Sequence, residues 1–222
     1  MQFSYLFLVL AVAAVSSKKI DINSGVNEGL AKTNEYLRKY RFTSVHLPKD
    51  SWGSKVFFSD SEILGLDSLK RTDNCTLEIV DKNVTLDLHY GFGFFQQSFK
   101  LINIGEQDMS ASFRIRDNSV HLNFTASYFG HNAQKCRVKL HDLSYERLAK
   151  VDFYSSRPEL DGIDVEDVFE KEVTPFLNSK VDKAAVEQVL QAMCNQPHLE
   201  IAEQMPMIHM SVLQHLGIPS QL

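Results

Sequence analysis

The sequence predicts an α+β protein, an antiparallel sheet with one helix before it and one after it. Residues 56–154 alternate apolar and polar side chains with period two, the mark of half-buried strands. Residues 20–42 and 164–194 instead repeat apolar positions at three- and four-residue steps, which makes a helical stripe. Turn residues cluster between the alternating runs at Asp81-Lys82-Asn83, Gly105-Glu106-Gln107-Asp108 and Gly130-His131-Asn132.

The first helix is expected over residues 20–42, where Ile22, Val26, Leu30, Thr33, Leu37 and Tyr40 share one face. Gly25 and Gly29 weaken it by roughly 1 kcal/mol each. A loop is expected next, through Pro48, Asp50 and Gly53.

Within the sheet the clearest alternation runs from Val84 through Leu86, Leu88, Tyr90 and Phe92 to Phe94, against Thr85, Asp87, His89, Gly91 and Gly93 on the other face. The phase then shifts to Phe95, Phe99 and Leu101, which predicts a bulge or bend near Gln96-Gln97. Phe113 and Ile115 carry one phase, and Val120, Leu122, Phe124 and Ala126 the other, with Asp117-Asn118-Ser119 between them. Two topologies fit: six short strands of ordinary length, or four long strands with internal bulges at about 62–80, 83–104, 108–129 and 134–154. Either is an antiparallel meander with one apolar face.

The second helix is expected as one long element from Asp164 to Cys194, kinked at Pro175, whose ring removes a backbone bond and clashes with the preceding turn. Its stripe includes Val165, Phe169, Val173, Phe176, Leu177, Leu190 and Met193. A strand from Cys136 to Lys150 covers about 46 Å at strand rise. The helix covers about 45 Å on its return. Their ends meet, so a Cys136–Cys194 disulfide is predicted, with Cys75 left over, buried or paired with another chain. The rival Cys75–Cys136 bridge would join the first and last strands, which are neighbours only if the sheet curls.

Residues Tyr5–Val15 form an uncharged apolar run, too short to span a bilayer as a helix, followed by small residues at Ala14-Val15-Ser16. Residues 1–17 are therefore expected to be a secretory signal peptide, 18–197 a single domain and 198–222 a Met- and His-bearing tail or flap. An extracellular destination gives meaning to the Asn-X-Ser/Thr sequons at Asn74, Asn83 and Asn123, all on the polar phase of their strands. It also makes a disulfide expected. No later apolar run is long enough for a transmembrane segment.

The net charge is -5, and Lys and Arg are not clustered, so nothing indicates nucleic acid. HExxH, GxSxG, GxxxxGK[ST] and CxxC are all absent from the sequence. The lone Gly91-Phe92-Gly93 sits inside a strand pattern and reads as a bend. No catalytic set, metal site or cofactor is expected. One stretch is loaded with aromatics instead, which points to an apolar tunnel between sheet and helix for a hydrophobic small molecule such as a lipid, fatty acid or terpenoid. The expected lining is Leu86, Leu88, Tyr90, Phe92, Phe94, Phe113, Leu122, Phe124, Phe169 and Phe176. The alternative is an extracellular interaction or immune-recognition protein, possible as a dimer through Cys75.

Three features in order resemble the mite group 7 allergen family, and more distantly the insect juvenile-hormone-binding and takeout proteins. They are Val45-His46-Leu47-Pro48-Lys49-Asp50 after the first helix, Gly65-Leu66-Asp67-Ser68-Leu69-Lys70-Arg71 entering the sheet, and the return helix with Phe169, Pro175 and Phe176. These families belong to the tubular lipid-binding superfamily of bactericidal/permeability-increasing protein. The resemblance covers roughly residues 20–195. It implies a long, strongly curved sheet (a super-roll) wrapped around two long amphipathic helices, a hydrophobic groove and no catalysis. A strand-to-helix disulfide is also of the kind seen in bactericidal/permeability-increasing protein. The tail after Pro197 has no counterpart, and the N-terminal disulfide of the takeout group is missing, so ligand identity does not carry over.

Overall fold

The computed structural model describes residues 18–52, 56–104, 107–129 and 135–195. The expected signal peptide at 1–17 and tail at 198–222 lie outside them. The elements are β1 (Lys18–Asp21), α1 (Asn23–Lys39), β2 (Ser44–Trp52), β3 (Val56–Leu64), β4 (Leu69–Arg71), β5 (Thr76–Val80), β6 (Asn83–Phe92), β7 (Gln96–Ile104), β8 (Gln107–Phe129) and β9 (Lys135–Ser155). After β9 come α2 (Glu166–Val168), a π-helical turn (Phe169–Val173), α3 (Thr174–Lys180) and α4 (Lys183–Cys194).

All nine strands join one antiparallel sheet, built on the 23-residue β8. Along one side of β8, β6 pairs with its second half and β7 with its first, while β9 follows nearly its whole length on the other side. β4 and β5 pair with β6, and β3 with β7. Residues 56–80, 83–104, 107–129 and 135–155 thus form four long, interrupted rows, and the long-strand reading is the one observed. β1 and β2 extend the far side by pairing with β5 and β3.

Two expectations are corrected here. The segment expected as a loop is strand β2. Its Pro48 is tolerated because β2 is an edge strand, and the ladder passes from Leu47↔Ser61 to Lys49↔Ser59 without using position 48. Residues 18–21 are strand, so the helix begins at Asn23, where Asp21 Oδ1 accepts the Asn23 N–H (2.8 Å). Of the expected stripe, Leu30, Thr33 and Leu37 are buried, whereas Tyr40 is exposed against Tyr36.

The second helix is also not one long element. Pro175 has no N–H to give to Lys171, and the chain widens into a π-helical turn just before it. The real break comes later. Val181 leaves helical geometry (ψ 113°), and Asp182 Oδ1 accepts the Ala185 N–H (3.0 Å) to start α4.

Rows break where side chains can replace backbone. Asn34 of α1 receives the Leu69 N–H and donates to the Leu69 carbonyl, both at 2.8 Å. Asn118 of β8 does the same for Phe92 at the end of β6 (2.6 and 3.0 Å). Asn178 of α3 clasps Tyr145 (2.7 and 3.0 Å), and Gln191 of α4 receives the Val138 N–H and donates to the Cys136 carbonyl (both 2.8 Å). Glu187 accepts the Leu140 N–H (2.7 Å). Between Cys136 and Tyr145 the outer edge of β9 is therefore covered by side chains of the C-terminal helices, which shields that stretch from edge-to-edge association.

Cys136 and Cys194 are disulfide-bonded, with Cα atoms 5.7 Å apart. The bond closes a loop of sequence separation 58. Replacing both cysteines by serine should lower the unfolding free energy by about 2–3 kcal/mol, toward the low end of disulfide effects, because Gln191 and Glu187 still hold α4. Urea titrations of the two proteins test this, and equal midpoints would refute it.

Candidate functional site

The two faces of the β6–β8–β9 region differ in kind. Tyr90 lies opposite Val120, and Val120 opposite Tyr145, so the three share one row on the apolar face. Two buried clusters meet at this row. One contains Phe58, Phe92, Phe99, Phe113, Phe153 and Phe169, and the other Leu122, Val138, Leu143, Val186 and Leu190; Tyr90 packs against both. The helical break at Val181 falls in the same region, since Leu177 joins the first cluster and Val181 the second.

Tyr90 and Tyr145 are half-buried, and among the described residues neither hydroxyl has a hydrogen-bond partner. Burial pushes the Tyr90 phenol up to about 12. Burial, and then the neighbouring Tyr90, raises Tyr145 as well. The pair of hydroxyls thus stands at the border of the two apolar clusters.

The ten residues expected to line a tunnel are spread over this interior. Phe92, Phe113 and Phe169 are buried in the first cluster, where Phe113 meets Phe153 and Phe169 at ring-centroid distances of 4.9 and 5.2 Å. Leu88, Tyr90, Leu122 and Phe124 belong to the second. Leu86 sits in a third with Leu77, Ile79 and Val84. Phe94 and Phe176 belong to none of these: Arg114 lies over the Phe94 ring and Lys180 over that of Phe176. Tyr145 was missed, because the alternation of β9 changes phase three times and hides its inward face.

Those changes have a structural cause. β9 carries one extra residue, His141, between the pairs Phe124↔Leu140 and Asn123↔Asp142, and another, Glu146, between Val120↔Tyr145 and Ser119↔Arg147. A third phase change falls at Lys150, which has φ 53°. Such bulges re-aim side chains. They bring Asp142 and Glu146 to the polar face, beside Asp87 and His89 of β6 and His121 of β8.

There His89 and His121 stack (4.6 Å, 11°). His89 Nδ1 meets Glu146 Oε2 at 3.0 Å; His121 Nδ1 meets Asp142 Oδ2 at 3.0 Å, and its Nε2 meets Asp87 Oδ1 at 2.7 Å. Burial works against the charge on His121, but the bonds to Asp87 and Asp142 outweigh it and raise its pKa. For Asp142, burial is outweighed by Lys183, Ser144 and His121, which bring it down to about 2.

Cys75 is free and has no exposure, and burial raises its pKa. A bridge through it to a second chain would need the thiol to leave the interior. Asn74 and Asn83 are exposed, and Asn123 is half-buried. Among the described residues no helix is long and apolar enough to cross a membrane.

No protein-family model matches the chain, and no curated protein matches it. Among solved structures, a lipopolysaccharide binding protein aligns at 14% identity with a TM-score of 0.28. The alignment covers 78% of this chain and 41% of that one. A likeness this low carries no functional argument, and the mite group 7 resemblance rests on the motifs given above.

Proposed function

We propose that this chain is a secreted, non-catalytic carrier of a hydrophobic small molecule whose one polar end is received by Tyr90 and Tyr145. The tyrosine row at the meeting of two apolar clusters carries this reading. The apolar run at Tyr5–Val15, the sequons and the disulfide support secretion, and the family resemblance supports lipid-like cargo.

The test is fluorescence displacement by fatty acids on the delipidated chain. Tyr90→Phe with Tyr145→Phe should weaken a fatty acid by about tenfold or more, since two hydrogen bonds are lost, and leave a plain hydrocarbon unchanged. A wild-type chain that takes up no fatty acid, terpenoid or apolar dye would sink the proposal, and the interaction reading would replace it.

A further inference from the structure

The polar face carries a second site, independent of the tyrosine row. We propose that Asp87, His89 and His121 bind one divalent transition-metal ion, zinc by the chemistry of the donors. Asp87 and His89 are two residues apart on β6, so they point to the same face. His121 lies directly opposite His89 on β8. Two positions on one strand and a cross-strand neighbour make a triangle of side chains about one ion's reach apart. One donor atom from each of the three already lies within 4.8 Å of the others.

The orientation of the rings strengthens the case. Each histidine turns its Nδ1 to a carboxylate, His89 to Glu146 and His121 to Asp142, both at 3.0 Å. Each turns its Nε2 toward the same oxygen, Asp87 Oδ1, at 3.6 and 2.7 Å. A carboxylate behind a metal-ligating histidine fixes its tautomer and raises its basicity. These carboxylates are themselves held. Ser119 donates to Glu146 Oε2 (3.0 Å), Ser144 to Asp142 Oδ2 (2.7 Å) and Lys183 to Asp142 Oδ1 (2.8 Å). Both carboxylates reach the site through the bulged stretch of β9.

Two imidazole nitrogens and one carboxylate oxygen suit zinc, at about 2.0–2.2 Å from each donor, with the fourth position left to water. On binding, the proton between His121 Nε2 and Asp87 goes to solvent, the rings tilt so that their Nε2 atoms converge, and both Nδ1–H groups stay on their carboxylates.

Isothermal titration of zinc chloride into the chain, made without N-glycans, tests this. One ion per chain is expected. His89→Ala and His121→Ala should each abolish that binding, and Glu146→Gln should weaken it by about 10–100-fold without removing a ligand. His46→Ala, at an exposed histidine outside the site, should change nothing. Cobalt should give the visible bands of a tetrahedral site, and circular dichroism should show each variant folded. No bound zinc, or binding that survives both histidine variants, would overturn the proposal. If a histidine variant fails to fold, Asp87→Asn in its place must lose the cobalt bands.

Discussion

Phe113→Ala is expected to lower the unfolding free energy by about 3–5 kcal/mol. Phe113 is 6% exposed, and its ring meets those of Phe99 at 5.8 Å, Phe153 at 4.9 Å and Phe169 at 5.2 Å. These come from β7, β9 and the π-helical turn, so one side chain ties the sheet to the returning helices. Truncation removes apolar area, forfeits ring contacts and leaves a cavity whose walls belong to separate elements. Phe113→Leu keeps most of the volume and should cost markedly less. Urea unfolding of the three proteins gives the values. A loss below 1 kcal/mol would mean that helices and sheet are not packed through this ring. The same pair bears on cargo. If fatty acid binds at the Tyr90–Tyr145 row, Phe113→Ala should leave its affinity little changed in the fraction that is folded.

Much of the sheet was legible because burial on one face imposes period two, and a change of period marks a change of face. β6 and β8 follow that rule closely, down to the phase change at Asp117-Asn118-Ser119. β2 was not legible, because Pro48 contradicts a central strand and only edge position excuses it. β9 was partly illegible: His141, Glu146 and Lys150 each reverse its alternation within a continuous strand. The helical stripe persisted through a π turn and a break in Val165, Phe169, Val173, Val186 and Leu190, which are buried, while Val168 is exposed; a stripe reports which side is apolar and not whether the backbone is continuous. Asp182 carried the signal for the break, as an N-cap residue before a new run of helix formers. The polar cluster stayed hidden for another reason. Asp87 and His89 stood on the polar face of their strand, but His121, Asp142 and Glu146 join them only through pairing register and bulges. No spacing in one sequence encodes that.

Asn118→Ala should cost about 2–6 kcal/mol, because it strands two backbone groups at once. Asn118 is 4% exposed, and its amide serves both the N–H and the carbonyl of Phe92. Each buried group left without a partner costs about 1–3 kcal/mol. Water cannot easily take over, since the Asn118 backbone approaches Gly91 so closely that a Cβ there would stand 2.3 Å from the Asn118 oxygen. Gly91→Ala should therefore disrupt the same joint by a different route. Asn118→Asp separates the two bonds. Its carboxylate can still accept from the Phe92 N–H, but the second oxygen faces the Phe92 carbonyl and repels it. Burial raises the pKa of such a carboxyl, so its folded form holds a proton that the unfolded form releases. The variant's deficit should accordingly grow as pH rises above the ordinary Asp pKa of about 4 toward the raised folded value, and shrink below it, where the proton restores the donor. Hydrogen exchange gives the local signature: amides from Gly91 to Phe95 should lose protection first, since the row of β6 and β7 is interrupted there. An Asn118→Ala protein that matched the wild type in stability and exchange would show that the break between β6 and β7 is held by ring packing, with Phe92 on Phe95 at 5.1 Å, and not by the amide.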